Sequence, residues 1–200
     1  MLKSVGIMSV LLGTAGFFTA LMLVLLATGA WHIPPDWFAG RGTPPAAGEQ
    51  VAAAVEQVIL QWRLLLLAIG VFQLLHASAL AVSALRAMRL DPAGAALLRF
   101  TARLGMLFEL LKLGPLSMVL FAVWQAIRDF APGRFPQLPG VDPAAELSAA
   151  QFAWLGNWML AAVGLLLAAG VAKVVFYRFT QNFFNRPATA AMFRTVDPPR

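Results

Sequence analysis

Four long apolar runs constrain this sequence more than any other feature. Each has about 20 or more mostly apolar residues, the length an α-helix needs to cross a hydrocarbon core of ~30 Å. The runs cover approximately residues 5–30, 62–86, 104–127 and 152–177. The sequence therefore predicts an all-α, polytopic membrane protein with four transmembrane helices in a single domain, residues 1–187.

The amino-acid composition supports this class. The chain is 60% hydrophobic and 12% charged, whereas a soluble domain carries roughly 25% charged residues. The first run exceeds the about 7–15 residues of a signal-peptide apolar region, so we expect an uncleaved anchor. The chain has no cysteine, which excludes disulfides, thiolate metal sites and dithiol redox chemistry.

Arginines are concentrated between the second and third runs and after the fourth. We call these residues the cytoplasmic basic face: Arg86, Arg89, Arg99, Arg103, Arg178 and Arg186. Because Lys and Arg favour cytoplasmic loops, this pattern predicts a multi-pass protein of the bacterial inner membrane with both termini in the cytoplasm. It also accounts for the net charge of +6, so we expect anionic lipids as partners at this face and no nucleic acid.

Tryptophans give an independent indication of the same orientation. Indole favours the membrane interface because it combines an apolar body with one N–H donor. All six fall near the other ends of the runs or in the other two loops, and they form a predicted outer aromatic belt: Trp31, Trp37, Trp62, Trp124, Trp154 and Trp158.

Proline and glycine mark the helix boundaries and one expected bend. Asp91-Pro92 and Asp142-Pro143 are typical helix starts. Gly114-Pro115 predicts a kink in the third span, because proline removes a backbone donor. From Ala46 a helical pattern continues into the second span, and residues 188–200 are expected to form a disordered cytoplasmic tail.

The most informative polar residues lie inside the runs. Glu109 and Lys112 are three residues apart and lie ~9 Å and ~13 Å beyond Arg103 along a straight helix. Lys173 and His76 fall at similar depths, counted from Arg178 and Arg86. We therefore predict an intramembrane polar cluster of Glu109, Lys112, His76 and Lys173.

Two interpretations of this cluster stay open at this point. Intramembrane ionisable groups are candidates for a proton or ion relay. The alternative is a structural ion pair that fixes helix packing, and it is favoured because the other halves of the runs carry few polar residues. Small residues such as Gly13 and Gly164 also suit close helix packing.

No catalytic, metal or cofactor site is predicted. The two histidines, His32 and His76, lie at different depths and do not match a bis-histidine haem site. The acidic residues are scattered, and the serines lack a nucleophile motif. His76 and the neighbouring Gln73 are expected to form interhelical hydrogen bonds instead.

Residues 89–107, RLDPAGAALLRFTARLGML, resemble the central segment of a bacterial family of uncharacterised four-pass membrane proteins. The matching residues are Asp91, Pro92, Leu98, Arg99, Leu104 and Gly105. The resemblance implies four spans, cytoplasmic ends and a regulatory or stress-related partner, since such proteins are often encoded beside a small helix-turn-helix regulator. The basic ending of this chain departs from the family's acidic one, and the resemblance implies no site residue.

Taken together, these features favour a non-enzymatic accessory or regulatory subunit that binds another membrane or cytoplasmic protein, or a homo-oligomer. The alternative is a small oligomeric transporter or channel that uses Glu109 as its proton or ion carrier. Substrate, partner and oligomeric state are not encoded in any recognisable pattern. The two halves share a span, a Pro/Gly-rich loop and a second span, and whether they arose by duplication also stays open.

Overall fold

A computed structural model describes residues 2–38, 45–131 and 147–194, and this part of the chain is helical almost throughout, with no β-strand. Its helices are α1 (Leu2–Thr28), α2 (Pro45–Gln61), α3 (Arg63–Met88), α4 (Pro92–Arg128), α5 (Ala149–Phe184) and α6 (Pro187–Arg194), with a 3₁₀ turn at Pro35–Trp37.

Four of these helices, α1, α3, α4 and α5, are long and apolar enough to span a membrane. Their most apolar stretches have mean hydropathies between 1.8 and 2.3, and each contains or closely overlaps one predicted run. The predicted fold class is therefore confirmed: the chain is an all-α, multi-pass membrane protein. The helices extend beyond the bilayer length, because α4 has 37 residues and α5 has 36.

The chain divides into two compact units, and each long spanning helix contributes to both. Among the described residues, unit 1 contains 2–24, 68–113 and 168–194. Unit 2 contains 25–38, 45–67, 114–131 and 147–167. The two units differ in the chemistry of their interiors.

Unit 1 has an apolar core that joins α1, α3, α4, α5 and α6. Its buried members are Val5, Leu80, Ala84, Ala87, Ala95, Leu98, Ala102, Tyr177, Phe183, Phe184 and Phe193. Gly13 allows α1 to approach α3 closely, because a Cβ there would lie 2.9 Å from the Ala77 carbonyl oxygen. Gly164 does not serve the packing predicted for it, since no described atom lies within 4 Å of a Cβ at that position.

The expectation of a disordered tail is wrong for residues 188–194, which belong to α6. Pro187 occupies the first helical position, where its missing N–H is not needed. Phe193 is buried, and its ring lies 6.0 Å from that of Phe184 between centroids. Apolar burial therefore orders this short helix against the end of α5. Residues 195–200 lie outside the described residues.

The turn between α3 and α4 confirms the predicted helix start. Asp91 accepts a hydrogen bond from the Ala93 N–H at 2.9 Å and so caps α4. Before it, Leu90 adopts a left-handed conformation with φ 61°. The N–H groups of Leu90 and Asp91 then bond to the carbonyls of Ala87 and Arg86, a Schellman motif that ends α3.

An ion pair reinforces this turn and makes its stability depend on pH. The Arg86 Nε donates to the Asp91 carboxylate at 2.6 Å, and this hydrogen bond lowers the pKa of Asp91. A lowered folded-state pKa stabilises the fold above the ordinary Asp pKa of ~3.9. This contribution is lost as the pH falls through the lowered value.

We expect Asp91→Asn to reduce the thermal unfolding midpoint at neutral pH, because Asn keeps a capping oxygen but loses the charge that pairs with Arg86. The difference from wild type should vanish under acidic conditions, where Asp91 is protonated. Thermal unfolding of both proteins from about pH 2 to about pH 7 measures this difference in midpoint. A difference that stayed constant with pH would contradict the assigned ion pair.

In unit 2, the segment that follows α1 is hydrogen-bonded to the end of α1 and to α2. Gly29, with φ 70°, ends α1 through bonds from Gly29 and Ala30 N–H groups to the carbonyls of Leu26 and Leu25. The Glu56 carboxylate of α2 then accepts the Ile33 N–H at 2.9 Å and lies 3.3 Å from His32 Nδ1. These contacts fix the segment after α1 against α2.

Helix boundaries in unit 2 match the sequence in part. The helical pattern predicted from Ala46 into the second span is interrupted by a single residue, Trp62, between α2 and α3. α5 begins with a capping box, in which the Ser148 N–H donates to Gln151 Oε1 at 2.8 Å and the Gln151 N–H donates to Ser148 Oγ. The helix start predicted at Asp142-Pro143 lies outside the described residues.

α4 continues as an α-helix through Gly114 and Pro115. The kink expected there remains a prediction.

Candidate functional site

Charged side chains are buried together inside unit 1. Glu109 and Lys112 lie one helical turn apart on α4, and Lys112 Nζ donates to Glu109 Oε1 at 2.8 Å. Their side chains are only 4% and 5% exposed. The spacing of three residues therefore places a full ion pair inside the helix bundle.

A second ammonium group shares the same carboxylate oxygen. Lys173 of α5 donates to Glu109 Oε1 at 3.2 Å, and its side chain is 19% exposed. One carboxylate thus stands between two lysines from different helices. Because a buried charge without a partner is costly, this arrangement ties α4 to α5.

Gln73 extends the cluster to the remaining two spanning helices. Its Oε1 accepts a hydrogen bond from Lys112 Nζ at 3.2 Å, and its Nε2 donates to the Gly16 carbonyl of α1 at 3.2 Å. We call Gln73, Glu109, Lys112 and Lys173 the polar network. It joins side chains of α3, α4 and α5 to the backbone of α1, so all four spanning helices meet in it.

Aromatic rings complete the surroundings of Lys112. Its Nζ lies 5.2 Å from the centroid of the Phe108 ring, a favourable cation–π distance. Phe108 in turn packs on Phe72 of α3 at 4.5 Å between centroids. The ammonium group is therefore held by a carboxylate, an amide oxygen and a ring face.

His76 was predicted in the same cluster, but its hydrogen bond goes elsewhere. Its Nε2 lies 2.9 Å from the Thr101 backbone carbonyl of α4. Since a carbonyl only accepts, Nε2 carries the hydrogen. The ring also contacts Tyr177 of α5 edge-on at 5.7 Å between centroids. The structure assigns His76 an interhelical hydrogen bond, and its ring lies within electrostatic range of Glu109, Lys112 and Lys173.

Gly105 makes this layer possible. A Cβ at position 105 would lie 2.6 Å from His76 Cε1 and 2.8 Å from Tyr177 Cε2. Both rings are buried, His76 at 7% and Tyr177 at 3% exposure. The glycine is therefore required by the close approach of two aromatic rings to the α4 backbone.

The structure also places the remaining predicted residues. All six arginines of the cytoplasmic basic face belong to unit 1, and one of them, Arg86, pairs with Asp91. All six tryptophans belong to unit 2, where Trp154 and Trp158 contact each other at 5.8 Å and Trp31 contacts Trp37 at 5.5 Å.

Sequence reasoning missed the part that Gln73 takes in the polar network. Counted by depth from Arg86, Gln73 lies ~20 Å along its helix, about one helical turn deeper than His76 or Lys112. The long Lys112 side chain spans that difference in depth. The signal available in the sequence was the long, flexible side chain of Lys112, which can reach an amide on another helix.

The arrangement suits helix association, because its hydrogen bonds connect different spanning helices. Within the described ranges, no group of three or more His, Cys, Asp or Glu residues is placed to hold a metal ion. The charged atoms of the polar network bond to one another and to Gln73, whose amide nitrogen donates to the Gly16 carbonyl. No family model, curated protein or solved structure matches this chain. A function can therefore be proposed only from its own geometry, in which one buried polar network joins the four long apolar helices.

Proposed function

We propose that this protein is a non-enzymatic accessory or regulatory subunit of the bacterial inner membrane, which binds another membrane or cytoplasmic protein. Its polar network would hold the helices in register and take no direct part in transport. The orientation proposed with it, with both termini in the cytoplasm, rests on the arginine and tryptophan patterns along the sequence.

One observation carries the proposal. Ten polar or charged residues are buried in the described part of the chain, and all ten belong to unit 1: Ser9, Gln73, His76, Ser83, Thr101, Glu109, Lys112, Thr180, Gln181 and Thr189. In the described part of unit 2, no polar or charged residue is buried as a whole, although single atoms such as Gln151 Nε2 are. A transport path needs polar groups across the whole membrane thickness, because hydrocarbon solvates ions poorly.

The surface of the molecule provides room for a partner. α5 exposes large apolar side chains along its length, such as Leu160 at 73% and Leu165 at 69% exposure. At the arginine-rich end, exposed Arg89, Arg103 and Arg178 would attract anionic lipid or an acidic protein surface, at about 1 kcal/mol per charge near the membrane.

The orientation has a direct test because the chain has no cysteine. We expect a cysteine introduced by Arg89→Cys to resist a membrane-impermeant maleimide in intact spheroplasts and to react after lysis. A cysteine introduced by Asp36→Cys should react in intact and in lysed spheroplasts. Residue 36 follows the C-terminal end of α1, which the proposed orientation places outside the cytoplasm. The reverse labelling pattern would overturn the orientation.

The proposed partnership is tested by mild extraction from the native membrane, followed by cross-linking mass spectrometry. We expect one protein in stoichiometric amount, and its recovery should fall with Arg99→Gln combined with Arg103→Gln. Arg63→Gln, an exposed arginine of unit 2, is the matched control and should leave recovery unchanged. Extraction of the protein alone would contradict the accessory role.

A second candidate is a small oligomeric transporter with Glu109 as its proton or ion carrier. The observation in its favour is that three ionisable groups, two lysines and one carboxylate, are in contact inside the helix bundle. Proton flux into liposomes that contain the purified protein, and its loss in Glu109→Gln, would support this candidate over the first.

A further inference from the structure

The described residues of unit 2 line a cavity whose walls are mostly apolar. It has a volume of about 1030 Å³ and opens on one side as a groove. One face of α5 forms its wall, with Gln151, Leu155, Trp158 and Ala162 at helical spacing. Val123 and Ile127 of α4 and the segment after α1 close the rest. We call it the apolar groove.

The dimensions of the groove match one leaflet of a bilayer. Gln151 and Ala162 are eleven residues apart on α5, which corresponds to ~16 Å at 1.5 Å per residue. Half of a hydrocarbon core of ~30 Å is ~15 Å. The groove therefore runs along a spanning helix for the length of a single acyl chain.

The polarity of the lining changes along the groove. Among the described lining residues, the polar side chains are Asp36 and Gln151, which lie next to the loops, and the others are apolar. The Gln151 Nε2 is buried without a hydrogen-bond partner, while its Oε1 is used in the capping box. A buried amide without an acceptor is costly, so a bound acceptor oxygen would satisfy it.

We propose that the apolar groove binds one acyl chain of a membrane phospholipid, with the headgroup at Asp36 and Gln151. The Gln151 amide would donate to an ester or phosphate oxygen. The Asp36 carboxylate, which pairs with no described cation, favours a headgroup that carries an amine, such as phosphatidylethanolamine. This site is independent of the proposed accessory role.

Native mass spectrometry of the protein released from nanodiscs of equal phosphatidylethanolamine and phosphatidylglycerol tests the site. We expect one retained phospholipid per chain, enriched in phosphatidylethanolamine, and a loss of that enrichment in Asp36→Asn. Ala162→Trp should reduce retention about tenfold, because an indole would occupy the deep end of the groove. Ala161→Trp is the matched control, since Ala161 is the exposed neighbour outside the groove, and it should retain lipid as wild type does.

Trp158→Ala provides a second variant that does not depend on tolerating a larger side chain. Trp158 is 58% exposed, so its removal should leave folding intact while it removes one wall of the groove. Equal retention in wild type, Ala162→Trp and Trp158→Ala would overturn the proposal. A wild-type protein released without lipid, or as a dimer without lipid, would overturn it as well.

Discussion

Glu109→Gln is expected to destabilise the folded protein by about 3 kcal/mol. The substitution leaves Lys112 and Lys173 without a counter-charge inside the bundle, and breaking a buried ion pair in this way typically costs ~3–5 kcal/mol. The lower end of that range applies because polar groups in a membrane find other partners in the unfolded reference state. The unfolding midpoint in mixed micelles with increasing sodium dodecyl sulfate measures the loss.

The structural role predicts a specific rescue. Adding Lys112→Met to Glu109→Gln removes the most deeply buried cation, so more than half of the lost stability should return. Lys173 tolerates the loss of the Glu109 charge better than Lys112 does, because its side chain is 19% exposed. Glu49→Gln, on the exposed surface of α2, is the matched control and should leave the midpoint unchanged.

Two outcomes would contradict the structural role of Glu109. One is a double variant as unstable as Glu109→Gln alone, which would mean that Lys112 does not depend on the carboxylate. The other is a Glu109→Gln protein of unchanged stability that has lost proton flux. That result would make Glu109 a carrier and move the transporter ahead of the accessory subunit.

Gly105→Ala is expected to destabilise the protein by about 2 kcal/mol. The added Cβ overlaps the His76 and Tyr177 rings, and overpacking of a well-packed core typically costs ~1–3 kcal/mol. Both rings are buried and His76 is held by the Thr101 carbonyl, so neither can move away without losing contacts. The same detergent unfolding experiment measures the effect.

Gly164→Ala is the control for the backbone effect of replacing glycine in a spanning helix. A Cβ at position 164 meets open space, and alanine is the better helix former by ~1 kcal/mol. Gly164→Ala should therefore leave stability unchanged or raise it slightly. Equal behaviour of the two variants would show that the close contact at Gly105 does not constrain the packing.

The local features of this protein were predictable from sequence. Apolar length located the four spanning helices, because a helix in hydrocarbon must satisfy its own backbone hydrogen bonds. Asp91 and Pro92 marked the start of α4, since capping depends only on neighbouring residues. The contact between Glu109 and Lys112 followed from their spacing of three residues.

Other features were predicted incompletely because they depend on packing. α6 was missed, as its eight residues are ordered by burial of Phe193 against the core of unit 1 and not by their own helical propensity. Depth counting placed His76 near the charged residues, with which it interacts, but it could not identify the Thr101 carbonyl as its hydrogen-bond partner.

The sequence by itself determined that this chain is a four-span helical membrane protein and that Glu109 and Lys112 face the same way. Only the tertiary structure decided that Lys112 and Lys173 share one oxygen of Glu109, that Gln73 completes the polar network, that His76 bonds to Thr101, and that unit 2 contains an apolar groove. The physical reason is that contacts between helices depend on how each helix is rotated about its axis. That rotation is selected by the combined packing of all the spanning helices, whereas helix length and spacing along one helix are set locally.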